Sequence, residues 1–137
     1  MQDLFVKKDE EFTVDFVVAT DKDGTIWCDI TEESLREMVI EGKEYEYQKY
    51  KVVFRKPSFG DTISLYDSIF RTDGQSIEFN PLEARYRKIA LLIKSWDLKD
   101  SEGNLVPTDE SNIMDLHPII ASIIGTQVDF ITGGLLS

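Results

Sequence analysis

Thr13-Val-Asp-Phe-Val-Val-Ala-Thr20, Asp21-Lys-Asp-Gly24 and Thr25-Ile-Trp-Cys-Asp-Ile30 together decide the fold class. The two flanks are rich in β-branched and aromatic residues. Between them lies an Asp-rich turn in which Gly24 is free to take positive φ, so the stretch reads as a β-hairpin. Thr31 then caps a short helix through Glu41, because Glu32 and Glu33 fall in the first turn, where the helix dipole favours anions. Gly42 supplies its stop, and Leu35, Met38 and Val39 its buried stripe. Tyr45 to Arg55 alternates tyrosines and lysines as a strand with one wet face, and Pro57 ends it.

Beyond Pro57 the period changes. Ile63, Tyr66, Ile69 and Phe70 recur at helical spacing between Gly60 and Phe70, before a turn at Thr72-Asp-Gly-Gln75. Asn80-Pro81-Leu-Glu83 is an N-cap with proline at the first helical position and Glu three residues after the cap. The helix it opens is expected to run to the neighbourhood of Trp96. Leu82, Tyr86, Ile89, Ile93 and Trp96 share one face, and Arg85, Arg87, Lys88 and Lys94 lie off it.

Asp97 to Pro107 is a polar connection containing Gly103, and Thr108 caps a short acidic helix to Leu116. Pro118 restarts the chain. Residues 119–131 carry one charge, Asp129, and read as a helix apolar on most of its circumference, ended by Gly133-Gly134. That helix must be buried by this chain or by another. Strands precede helices, so the expectation is an α+β fold: an N-terminal β-hairpin or small antiparallel sheet followed by a helical C-terminal half. One domain is expected over 1–137, β-rich over 1–57 and helical over 58–137.

A chain of 137 residues suits one domain with its own core. Twenty-six acidic against fifteen basic side chains leave a net charge of −11, which argues against nucleic acid or an anionic membrane as partner. The charge is unevenly spread: residues 43–99 carry +3, and residues 100–137 hold six acids and no Lys or Arg. The opening residues lack the apolar core of a signal peptide, and the apolar stretches are too short to span a bilayer. A single Cys28, expected buried, rules out an internal disulfide. The expected compartment is a reducing cytoplasm. His117 is the only histidine and fits a cap or an exposed position rather than a metal ligand.

Asp21-Lys-Asp23-Gly24-Thr25 resembles the DxDGT motif of haloacid-dehalogenase-like phosphotransferases. The resemblance implies Asp21 as nucleophile and Asp23 as acid/base, with Mg²⁺ as counter-charge. The rest of that pattern departs: Gly60-Asp61 is followed by an acid only at Asp67, and strands do not alternate with helices. A calcium loop fares no better, since its ligand positions fall on Ala19 and Ile30. A structural turn is the expected role. Arg55-Lys-Pro and Arg85-Tyr-Arg-Lys88 are the basic groups, open either to an acidic partner or to this chain's own acids.

An ordered series of features runs from Arg55-Lys-Pro-Ser-Phe-Gly-Asp61 through Arg85-Tyr-Arg-Lys-Ile-Ala-Leu-Leu-Ile-Lys-Ser-Trp-Asp-Leu98 to Glu102-Gly-Asn-Leu-Val-Pro-Thr-Asp-Glu-Ser-Asn-Ile-Met-Asp-Leu-His-Pro118. In that order it resembles small tail-assembly proteins of tailed bacteriophages; the opening hairpin lies outside the likeness. The resemblance implies a non-enzymatic tail assembly chaperone that keeps the tape-measure protein soluble in the host cytoplasm during tail morphogenesis, without catalytic residue, cofactor or metal. The alternative is a structural virion protein of the neck, tail or capsid. The implied partners are tape-measure or other phage tail proteins, with homo-oligomerisation also open. Ile120, Ile123, Ile124 and Val128 are the candidate apolar contacts, and Arg55, Arg85 and Lys88 the candidate polar ones. Strong net charge would keep such a complex soluble while apolar surface holds the client.

Overall fold

The computed structural model describes residues 4–69 and 80–132. The strands are β1 (Glu11–Thr20), β2 (Ile26–Asp29), β3 (Glu46–Arg55) and β4 (Ile93–Trp96). The helices are α1 (Glu32–Met38), α2 (Phe59–Ile69), α3 (Pro81–Leu92), α4 (Glu110–Met114) and α5 (Pro118–Ile131). The strands form one antiparallel sheet in the order β2-β1-β3-β4, so the fold is α+β. The expected turn at 72–75, Phe70 and the Gly133-Gly134 stop lie outside the described residues.

The hairpin forms through its turn. Asp21 Oδ1 accepts the N–H groups of Asp23 (2.8 Å) and Thr25 (3.0 Å), Gly24 takes φ +82°, and Lys43 Nζ sits 2.9 Å from Asp21 Oδ2. The Lys43 hydrogen bond, set against desolvation, holds the Asp21 carboxyl below its ordinary range. Asp100 repeats the device in the connection after β4: its Oδ1 accepts from Glu102 and Asn104, and Gly103 takes φ +83°. The DxDGT string is thus a turn anchor.

Strand alternation sorts the core onto two faces. Val14, Phe16 and Val18 of β1, Cys28 of β2 and Val52 and Phe54 of β3 pack on one face with Ile89 and Leu92 of α3, Ile113 of α4 and Ile120, Ile124 and Val128 of α5. Phe12 and Phe54 stack across the strands with centroids 5.2 Å apart. Fully burying a side chain such as Phe16 or Phe54 stabilises by about 2 kcal/mol. On the other face Leu35 of α1 covers Val17 and Ala19, with Trp27, Tyr45 and Tyr47 around them. Further along that face Thr13, Asp15, Lys49 and Lys51 are exposed. Cys28 is buried as expected, and desolvation pushes its thiol up to about 12.

Several local expectations shift. The third helix stops at Leu92, and Ile93–Trp96 pairs with β3 through Phe54↔Ile93, Val53↔Ser95 and Val52↔Trp96, which places a strand inside the expected helical half. The unpaired edge of β3 competes with helix propagation there. Ile-Lys-Ser-Trp lacks a two-residue apolar alternation, but a register shift between Val53 and Phe54 leaves Lys94 as an extra residue, so Ile93 and Trp96, three apart, both reach the core, where Trp96 Nε1 donates to the Val106 carbonyl. Leu82, expected on the buried face, is 75% exposed. The first helix ends at Met38, itself exposed, where Val39 turns to extended backbone, three residues before the expected stop. Asp109 rather than Thr108 caps α4, accepting from Asn112 N at 2.8 Å. Thr31, Asn80 and His117 cap their helices, and His117 Nδ1 accepts from Ile119 N.

Candidate functional site

Arg55 sits at the end of β3, where its Nη1 meets Asp61 Oδ2 at 2.5 Å and its Nη2 donates to the Leu91 carbonyl at 3.2 Å. It therefore ties β3 to the start of α2 and the end of α3. Ser58 and Asp61 complete a reciprocal cap on α2, with Ser58 N donating to Asp61 Oδ2 and Asp61 N to Ser58 Oγ. The Arg55 hydrogen bond, with those from Ser58, lowers the Asp61 carboxyl from 3.8 to about 2. A depressed carboxyl adds stability that is fully present above its unfolded value and is lost as pH falls through the folded one. Asp61→Asn should therefore cost stability at pH 6 and progressively less from roughly pH 4 to pH 2. Urea unfolding of both proteins across that range measures it, and a pH-independent difference would exclude the ionised Asp61 as the source.

Arg85 and Lys88 stand on α3 facing α5, and both converge on Asp129. Lys88 Nζ lies 2.7 Å from Oδ1, and Arg85 Nη2 lies 3.2 Å from Oδ2. The Lys88 side chain is only 3% exposed, against 32% for Arg85 and 27% for Asp129. Of the two uses open to these bases, pairing with the chain's own acids is the one seen.

The stem of Arg85 runs directly over Gly125. A Cβ added there would sit 2.1 Å from Arg85 Cδ and 2.7 Å from Cγ. A mid-helix glycine ordinarily costs about 1 kcal/mol relative to alanine. Gly125→Ala is nevertheless expected to destabilise by about 1–2 kcal/mol net, because it must lift Arg85 off Asp129. In an Arg85→Ala background the same change should become stabilising. Denaturant unfolding of the four proteins measures the sign change, and a stabilising Gly125→Ala in the wild-type background would defeat the account.

The apolar candidates on α5 face inward. Ile120, Ile124 and Val128 are 8%, 1% and 1% exposed and belong to the core, and Ile123 packs partly buried against it. A partner reaches Ile124 and Val128 only if α5 leaves the sheet, whereas Ile120 lines a groove at the far end of the sheet and Ile123 is partly exposed. Large apolar side chains on the surface include Phe59, Ile63 and Tyr66 at helical spacing along α2, and Phe130 at the end of α5.

A groove of about 1020 Å³ opens at the far end of the sheet. Its floor includes Phe16, Val18, Tyr50 and Trp96, its walls are the 97–106 connection and the start of α5, and His117 stands at its rim. Four carboxylates line it, Glu46, Asp97, Asp100 and Asp115, against two lysines, Lys49 and Lys99. No spacing motif marks it, because five separate segments contribute. The one sequence trace is the stretch from residue 100 onward that has no Lys or Arg.

Among the described residues no group of three or more His, Cys, Asp or Glu side chains is placed to hold a metal ion. No helix among them is long and apolar enough to cross a membrane. No family model matches the chain, and no curated protein or solved structure matches it at a significant level.

Proposed function

We propose that this chain is a non-enzymatic chaperone of phage tail assembly that holds the tape-measure protein in soluble form until the tail tube assembles. The observation that carries the reading is large apolar surface on a strongly acidic protein. Phe59, Ile63 and Phe130 are 80%, 57% and 83% exposed, on a chain of net charge −11. Exposed apolar side chains one helical turn apart, as Phe59 and Ile63 are on α2, suit an interaction surface, and high net charge opposes precipitation of the complex formed there. The ordered likeness from Arg55 to Pro118 supports the same reading.

Coexpression of the chain with the tape-measure protein of its genome tests it, combined with quantitative mass spectrometry of lysate and purified particles. The client should move to the soluble fraction and copurify, and the chain should be absent from particles. A client that stays insoluble overturns the proposal. So does a fixed copy number per particle, which would make the chain a structural virion component.

A further inference from the structure

Among the described residues the sheet has an open edge beside the groove. β4 pairs with β3 only from Val52 to Phe54, and Asp97 follows by exchanging its N–H and carboxylate with the Lys51 carbonyl and N–H. Lys51 thus turns its backbone groups away from β1. The two-residue strand period turns those of Lys49 and Tyr47 to the same side. Among the described residues no strand pairs with β3 on that side below Lys51. An unpaired strand edge is a template for a further strand.

Three properties of the place select its occupant. The backbone edge calls for an extended segment. The apolar floor of Val18, Tyr50 and Trp96, underlain by the buried Phe16, accepts alternate apolar side chains, and about 1020 Å³ exceeds what one side chain fills. The acidic rim favours basic flanks, since four carboxylates line the groove against two lysines, Lys49 and Lys99, and Glu46 and Asp115 are exposed.

We infer that the free edge of β3 and its adjoining groove bind an extended partner segment in which apolar residues alternate and lysine or arginine flanks them, added to the sheet in line with β4. The inference rests on the client-binding reading and adds that the segment held there is a strand. Backbone hydrogen bonds to Lys49 and Tyr47 supply affinity, and the groove and rim supply selectivity.

A lysine-flanked peptide of alternating valine and threonine is the probe, titrated into ¹⁵N-labelled protein. The amides of Tyr47 and Lys49, the Trp96 indole and His117 should shift, while Trp27, on the other sheet face, stays fixed. N-methylation of the peptide amides that face β3 should abolish binding, and methylation of the alternate ones should not. Glutamate flanks, or Glu46→Lys with Asp115→Lys in the protein, should weaken binding on the order of tenfold. Equal binding of both methylated peptides, or unmoved Tyr47 and Lys49, overturns the inference. The same shifts appearing with protein concentration alone, with a dimer in sedimentation, would assign the edge to a second copy and also overturn it.

Client solubility separates this inference from the chaperone reading. Peptide binding with an insoluble client removes the chaperone and leaves the strand site. A client kept equally soluble by the Glu46→Lys, Asp115→Lys protein keeps the chaperone and removes the edge as its site.

Discussion

Replacing Ile124 by aspartate is expected to unfold the protein. Ile124 is 1% exposed, among Val128, Ile120 and the residues that the sheet turns toward α5. Truncating such a side chain costs about 2–5 kcal/mol, and a carboxylate left there without a partner adds several more. The sum reaches the whole stability of a small domain, about 5–15 kcal/mol. Circular dichroism should show loss of near-ultraviolet signal and no cooperative melt. Ile124→Val should melt cooperatively with a loss of about 1 kcal/mol. Phe130→Ser, on the exposed side of the same helix, should lie within about 0.5 kcal/mol of wild type. A folded Ile124→Asp protein that had lost its client would instead return the α5 stripe to the partner surface. The contrast between Ile124 and Phe130 separates a core helix from a docking helix using one element.

The parts of this fold that were legible in the sequence are those determined within a few residues. Asp21 and Gly24 specify their turn through hydrogen bonds two and four residues away, and Thr31 and Asn80 cap the helices they begin. Whatever depended on a distant edge was illegible. Ile93 and Trp96, three apart, fit the helical stripe through Ile89 and not a regular strand, and only pairing with Val52–Phe54 through a register shift makes the segment a strand. Arg85 and Lys88 look alike in sequence; the position of Asp129 on α5 buries one and leaves the other half-exposed. The apolar character of residues 119–131 was plain, whereas its direction depended on how much of the sheet face α3 and β4 left uncovered. The groove was the least legible feature because its carboxylates come from β3, the connection and the C-cap of α4, which no local spacing relates.

Removing the Asp129 carboxylate should be the most damaging change outside the apolar core. Asp129→Ala takes the charged partner from Lys88, whose side chain is 3% exposed, and from Arg85 at the same time. Breaking a buried pair by deleting one member costs about 3–5 kcal/mol, because the remaining charge keeps its desolvation cost without the attraction that offset it. Asp129 is itself about a quarter exposed, and Arg85 can swing its guanidinium to water, so about 3 kcal/mol is expected. The double change Lys88→Met, Asp129→Leu removes the carboxylate and the buried cation together, and should recover most of the loss, since an apolar pair of similar volume replaces a buried ion pair at little net cost. Urea unfolding of wild type, Lys88→Met, Asp129→Leu and the double variant closes the cycle, with Asp129→Ala measured beside them. If Asp129→Ala cost less than about 0.5 kcal/mol, the pair would be behaving as an ordinary surface contact. A double variant no better than Asp129→Ala would mean that the loss comes from packing between α3 and α5 rather than from the lost ion pair. The cycle also bears on function: the buried Lys88 can serve an acidic partner only by leaving Asp129, so a large coupling energy would reserve it for the fold and leave partner binding to the exposed apolar residues, the outer N–H groups of Arg85 and the β3 edge.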